Sequence, residues 1–325
     1  MKIRSLIKLK NNNKRLFTPG PASLSEENIT ELNPCFGRGD KQYETLEIKV
    51  LNKLKKISGH KNITRLQGSA SLALEISIQN FLYGKILVID TGVYSQRLTS
   101  MIKYSKKINQ DIKKIKIINW KKMNEVTDNF DWIISCVTET SIGLKLPILE
   151  LYKIKRKCRA KLMLDATASI GLEKNHELAD LIAYSSCKGL FGLTGASFIA
   201  YNFKAQNEIG SFYMSLENHN NKKMTGPYHT IQSLYKVLEK YNEFKYAVKV
   251  NKERFLRDFE ELTIYPKIYQ PLLCTYSKKK LISNNKKVIF YKTRSKLDGS
   301  VLCHLGEVHL KKKAKGDILK NIFTN

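Results

Sequence analysis

The chain has 325 residues, 42% of them hydrophobic, and its 57 Lys and Arg stand against 29 Asp and Glu for a formal charge of +28. Such a length and apolar content fit a soluble globular protein with one large domain and one small one. They exclude a membrane span, because the most apolar stretch, 181–201, is interrupted by Lys188, glycines and serines and reads as two strands and a loop.

In chain order, Met1–Lys8 is basic without an apolar centre, so no secretory signal is expected. Residues 1–16 read as a loosely ordered, Asn-rich arm, and Phe17-Thr18-Pro19-Gly20-Pro21 as a stiff turn. From Tyr43 to Ile57 the apolar residues Leu46, Val50, Leu54 and Ile57 keep helical spacing, with Gly59 just past the end. Ile63–Leu66 is a short strand, and Gly68-Ser69-Ala70-Ser71 opens a helix running to about Leu82. Lys85–Asp90 is a buried strand. Further strands are predicted at 114–118, 131–137, 161–165, 181–186 and 196–201, with a helix at Ile148–Lys157 among the intervening segments. A long helical stretch from Tyr228 to about Leu262 breaks near Tyr241, and the remainder mixes strand and helix. Strand–helix alternation of this kind predicts an α/β fold on a mainly parallel sheet.

The basic residues fall in many short runs, such as Lys278–Lys280 and Lys311–Lys313, interleaved with Ile and Asn. This reads as a compositional bias over solvated faces; with no nucleic-acid recognition motif, nucleic acid is not expected as a partner. The six cysteines, Cys35, Cys136, Cys158, Cys187, Cys274 and Cys303, have neither a CxxC pair nor zinc spacing. They read as free thiols of a reducing cytoplasm, and no metal site is expected.

Two strand ends carry the chemistry. Leu162-Met163-Leu164 ends in Asp165, and Leu181-Ile182-Ala183-Tyr184 leads into Ser185-Ser186-Cys187-Lys188-Gly189. Ends of neighbouring strands share the edge where open α/β sheets bind ligands. A lysine that can hold an aldehyde and a carboxylate that can pair with a pyridinium nitrogen are what pyridoxal phosphate requires. Taken alone, the pair reads better as a structural salt bridge, or as a lysine merely exposed at a turn. Ser69, Ala70 and Ser71 start a helix, where free N–H groups and the dipole suit a phosphate, or they are an ordinary cap. Tyr94 follows the next strand as a ring that stacks on a flat cofactor or simply packs. Thr140, in Thr138-Glu139-Thr140-Ser141-Ile142-Gly143, offers a hydroxyl to a ring substituent or closes a local turn.

Six segments in fixed order resemble the class V pyridoxal-phosphate aminotransferases of fold type I, in the branch of the 2-aminoethylphosphonate–pyruvate, alanine–glyoxylate and serine–glyoxylate transaminases. They are Phe17–Pro21, Leu66–Ser69, Thr91–Arg97, Glu139–Gly143, Asp165–Ser169 and Ser185–Gly189. The resemblance covers about residues 15–245 well and the C-terminal part poorly. It implies an α/β fold with a mainly parallel seven-stranded sheet, helices on both faces and a small C-terminal α+β domain. The corresponding division is an arm at 1–16, a large cofactor-binding domain at 17–245 and a small domain at 246–325. It implies that Lys188 forms the Schiff base and moves the α-proton, and that Asp165 keeps the pyridine nitrogen protonated. Tyr94 stacks on the ring, Thr140 bonds its hydroxyl region, and Ser69, Ala70 and Ser71 hold the phosphate. Gly226-Pro227-Tyr228-His229-Thr230 matches a segment that reaches the phosphate of the other subunit, which makes Thr230 a contact across a homodimer. The activity implied is transfer of an amino group from a small amine or amino acid to a small 2-oxo acid.

Two positions depart from that family. Gly306-Glu307-Val308 aligns with its C-terminal motif, and this puts Val301 where an arginine grips the substrate carboxylate. Arg294, Lys296 and His304 are the available substitutes, His304 reading more as a strand-end residue. Cys187 precedes the lysine where an amide is usual. Another reaction of the same cofactor, a lyase or an aldehyde-specific transaminase, therefore stays open, as does a non-catalytic basic binding protein.

Overall fold

The computed structural model describes residues 1–12, 14–20, 28–30, 32, 34, 37–309 and 322–324. Its helices are α1 Ile3–Asn12, α2 Lys41–Ser58, α3 Ala70–Phe81, α4 Val93–Ile108, α5 Ile148–Lys157, α6 Leu216–Asn220, α7 Tyr228–Glu239 and α8 Tyr241–Phe259. The strands up to the middle of the chain are β1 Arg15–Phe17, β2 Asn62–Gln67, β3 Gly84–Asp90, β4 Ile112–Asn119, β5 Trp132–Cys136, β6 Thr138–Glu139 and β7 Leu144–Lys145. They are followed by β8 Lys161–Asp165, β9 Leu181–Ser185, β10 Ala196–Tyr201, β11 Cys274–Ser277, β12 Leu281–Ser283, β13 Val288–Phe290, β14 Ser300–Cys303 and β15 Ile322–Thr324.

Seven strands form the central sheet in the order β2-β10-β9-β8-β5-β3-β4. All run parallel except β10, which is antiparallel to both of its neighbours. The apolar runs are continuous because both faces are covered. In β3, Leu87 and Ile89 enter a core with α2, α5 and α7, whereas Ile86 and Val88 enter another with α3 and α4. The edge strand β4 carries Lys113, Lys114 and Lys116 on its exposed positions, which discourages further strand pairing.

Local signals set the helix limits. The Asp40 side chain accepts the N–H groups of Gln42 and Tyr43 at 3.0 and 3.1 Å and so starts α2. Gly59 ends it at φ 73°, donating to Lys55 O. The predicted break near Tyr241 is real: α7 stops at Glu239 and α8 restarts at Tyr241, whose hydroxyl donates to Gly171 O. No helix among the described residues is long and apolar enough to cross a membrane.

The N-terminal segment differs from the loose arm that its composition suggests. It holds α1, and β1 pairs in parallel with β13, Arg15 opposite Val288. Phe17 is fully buried with Phe255, Leu281 and Leu302, which pins the chain start to the C-terminal strands. Of the turn at 17–21, Pro21 lies outside the described residues. A further core joins Ala168, Leu172 and Phe191, from the loops after β8 and β9, to Cys274, Val301 and Cys303 of the antiparallel pair β11–β14. The C-terminal strands are thereby packed against the loops that carry Asp165 and Lys188.

Candidate cofactor site

Asp165 ends β8 between Cys136 of β5 and Ala183 of β9. Thr167 fixes its carboxylate, donating to Oδ1 from the backbone at 3.0 Å and from the hydroxyl at 2.5 Å. Oδ2 is left toward the pocket, with Arg97 Nη2 at 3.9 Å. Lys188 follows β9 in a loop held by Phe191 N to Lys188 O (2.9 Å), Gly192 N to Ser186 O (2.8 Å) and Ser186 Oγ to Leu193 O (2.5 Å). Gly189 allows that loop to lie against the one after Asp165, since an added Cβ would sit 2.0 Å from Ile170 O.

Tyr94 is in the first turn of α4, and its ring centroid is 5.4 Å from Lys188 Nζ and 5.1 Å from Arg97 Cζ. The position depends on Glu139, fully buried in β6. Its Oε2 accepts the Tyr94 N–H at 2.9 Å and the Ser95 N–H at 3.4 Å, while Oε1 accepts the Ser141 hydroxyl. A carboxylate there also meets the positive end of the helix. Burial raises the Glu139 pKa, and these donors pull it back. Cys136 beside it is pushed well up by burial and by the Asp165 and Glu139 charges, with Lys188 and Arg97 opposing.

One pocket gathers Tyr94, Arg97, Thr138, Thr140, Asp165, Thr167 and Lys188. Two buried polar atoms of this group, Arg97 Nε and Thr138 Oγ1, have no hydrogen-bond partner among the described residues, and the Thr140 hydroxyl lies against the Tyr291 side chain. Orphaned donors and acceptors at a strand-end cleft fit a polar ligand rather than a sealed core. A carboxylate, an amine and an aromatic ring around such a cleft are also the donor set that pyridoxal phosphate needs, so the residues present fit that group.

The sequence-predicted site is thus brought together for Tyr94, Thr140, Asp165 and Lys188. Ser69, Ala70 and Ser71 share the same sheet edge but are not among the residues lining the pocket. β2 and β9 run the same way, and Gln67 and Ser185 face consecutive residues of β10, which levels their ends. Ser69 precedes α3 without a side-chain cap, and its carbonyl takes the Leu72 N–H at 3.0 Å, which leaves the N–H groups of Ala70 and Ser71 at the helix start. Gly68 N donates to Gly195 O at 3.0 Å, and a Cβ on Gly195 would meet Thr230 Oγ1 at 3.3 Å. Thr230 therefore neighbours the phosphate-type loop of its own chain, its hydroxyl donating to Thr194 O at 3.1 Å.

Sequence reasoning gave no role to Arg97, Glu139, Thr167 or Tyr291. Arg97 is one turn beyond Tyr94, and Thr167 is two residues beyond Asp165, spacings that signal proximity but not direction. Tyr291, whose hydroxyl is 3.5 Å from that of Tyr94, comes from 197 residues away and carries no local signal.

No protein-family model matches the chain. It is 28% identical over 210 residues to the uncharacterized aminotransferase MJ0959 of Methanocaldococcus jannaschii, covering 60% of this chain and 54% of that protein, just over half its length. It is 25% identical over 299 residues to a 2-aminoethylphosphonate–pyruvate transaminase of Vibrio cholerae, covering 80% and 81% of the two chains. A transaminase of the same description from Pseudomonas aeruginosa matches at 25% over 252 residues, 70% and 68%. Among solved structures, the ureidoglycine–glyoxylate aminotransferase of Bacillus subtilis superimposes with a TM-score of 0.78 at 13% identity, over 95% of this chain and 91% of that one. The PLP-bound phosphoserine aminotransferase of Trichomonas vaginalis gives 0.71 at 14%, over 94% and 98%. The fold is that of the fold-type-I aminotransferases, as the seven-stranded sheet with helices on both faces predicts.

Proposed function

We propose that this chain, which belongs to the class V pyridoxal-phosphate aminotransferases of fold type I, moves an amino group from a small amine or amino acid to a small 2-oxo acid. The observation that carries the reading is the convergence of Asp165, Lys188 and Tyr94, from three separate strand ends, on one pocket. Pyridoxal phosphate, when bound, supplies an electron sink for the carbanion formed at the donor's α-carbon.

The chain's own residues do the rest. Lys188 Nζ would hold the cofactor aldehyde and, once the donor amine has freed it, would carry the proton to and from the α-carbon as general acid and base. Asp165 presents Oδ2 to the pyridine nitrogen, its carboxylate locked by the two Thr167 bonds. The Tyr94 ring would stack on the cofactor, and the Thr140 hydroxyl, beside Tyr291, would bond a ring substituent. The uncapped start of α3 at Ser69, Ala70 and Ser71 would receive the phosphate. Thr230 adds a contact to the phosphate of a second copy, so the active form in this reading is a homodimer. A cytoplasmic location is part of the same reading, supported by the scattered, unpatterned cysteines.

The relatives' descriptions favour 2-aminoethylphosphonate or an alanine-like donor with pyruvate or a similar acceptor, and favour transfer over lyase chemistry. Retention of both Lys188 and Asp165 in a shared pocket favours an enzyme over a basic binding protein. The test is to load the protein with pyridoxal phosphate, add 2-aminoethylphosphonate or alanine, and follow the visible absorption. Conversion to the pyridoxamine form, reversed by pyruvate, is expected. Release of product with no conversion in any donor's presence would replace the transaminase reading with a lyase.

A further inference from the structure

Three cations surround the Tyr94 ring. Besides Lys188 and Arg97, Arg294 brings Cζ to 5.9 Å from its centroid. Lys188 is needed for the cofactor, and Arg97 has Asp165 within ion-pair distance. Arg294 has no ion-pair partner among the described residues. Arg294 thus adds a cation at the rim of the pocket, beside the Tyr94 ring that lines it.

The segment bearing Arg294 is anchored on both sides. Tyr291 and Leu297 pack on the core that contains Val301 and Cys303. The Tyr291 hydroxyl is 3.5 Å from that of Tyr94, and Thr293 Oγ1 donates to Ser295 O at 2.7 Å. Arg294 is exposed between these anchors, with its guanidinium over the ring, a contact that orients the planar fork. The other candidates are placed differently. Val301 is 1% exposed within the core and offers nothing to an anion. His304 is fully buried, bonded to Thr275 Oγ1 at 3.1 Å. Lys296 is exposed and makes no contact with the Tyr94 ring.

We propose that Arg294 grips the carboxylate of the 2-oxo acid, as a bidentate anion site on the C-terminal segment that takes over from the arginine absent at Val301. The assignment rests on reading Lys188 and Asp165 as the cofactor site. An arginine suits the role because its two parallel N–H groups match a carboxylate, and a lysine at the same place does not reproduce that fork.

The test uses wild type, Arg294→Gln and Arg294→Lys, each loaded with pyridoxal phosphate. The visible absorption of the bound cofactor should be the same in all three. Acetate, a carboxylate with neither amine nor carbonyl to react, is then titrated against that absorption. Arg294→Gln should bind acetate about 10- to 100-fold more weakly, the loss expected for one charge-assisted contact. Arg294→Lys should fall between the two. The KM for pyruvate should rise in step, with kcat little changed. Unaltered acetate affinity in Arg294→Gln, with normal cofactor absorption, would overturn the Arg294 assignment and leave the cofactor reading standing. No cofactor absorption in wild type would overturn both.

Discussion

Glu139 Oε2 accepts the backbone N–H of Tyr94 at 2.9 Å, so a buried carboxylate on β6 caps the helix whose first turn carries the ring beside Lys188. Support of the helix and placement of the Tyr94 ring are joined at this bond.

Glu139→Ala should therefore destabilise the fold by about 2–3 kcal/mol, since several buried donors lose their acceptor. Glu139→Gln keeps one acceptor oxygen and should lose less. Urea unfolding midpoints at unchanged slope measure this. The raised pKa adds a sign. The folded state holds the proton in a range where the unfolded state, near 4.5, has released it. Wild-type stability should thus fall as pH rises from about 4.5 through the raised value, and Glu139→Gln should lack that component.

Asp165→Asn preserves shape and the Thr167 contacts to one oxygen but removes the charge offered to the pyridine nitrogen. Cofactor affinity should drop by about 10- to 100-fold, the loss expected for one charge-assisted bond, measured by equilibrium titration of the apo protein. An affinity equal to wild type would place the pyridine nitrogen elsewhere.

His176 is buried with Nε2 2.9 Å from Ser169 Oγ, and burial lowers its pKa to about 3. Its ordinary value is 6.5, so the unfolded state takes up a proton that the folded state refuses. The stability is complete above 6.5 and is lost as pH falls toward 3, at about 1.4 kcal/mol per pH unit for this one group. Thermal melts between pH 7 and 5 should show the decline, and His176→Gln should flatten it.

In the proposed reading, Thr230 contacts the cofactor phosphate of a second copy. Thr230→Ser should leave cofactor affinity near wild type, while Thr230→Val should weaken it about tenfold by removing one hydroxyl contact to a charged group. Both should sediment as dimers. A monomeric wild type with full cofactor affinity would remove Thr230 from the site.

Much of this was legible because it is local. The runs 161–165 and 196–201 alternate cleanly with turn residues and match β8 and β10. Asp165 and Lys188 could be placed on one edge by strand order alone. What escaped depends on partners distant in sequence. Arg15 pairs opposite Val288, and nothing in a basic Asn-rich segment marks it as a strand. Tyr291 and Arg294 reach Tyr94 through a segment whose own pattern is irregular. The loop at Ser69 lies on the same sheet edge as Lys188, yet its distance from the Lys188 pocket depends on β10 lying between β2 and β9, a topology that periodicity does not encode.

The most direct test of the central claim is the visible absorption of the purified protein mixed with pyridoxal phosphate, wild type against Lys188→Ala. Wild type should acquire the yellow band of a protein-bound Schiff base and keep it through dialysis, and Lys188→Ala should not. A band that persists in Lys188→Ala, or fails to form in wild type, would contradict the account.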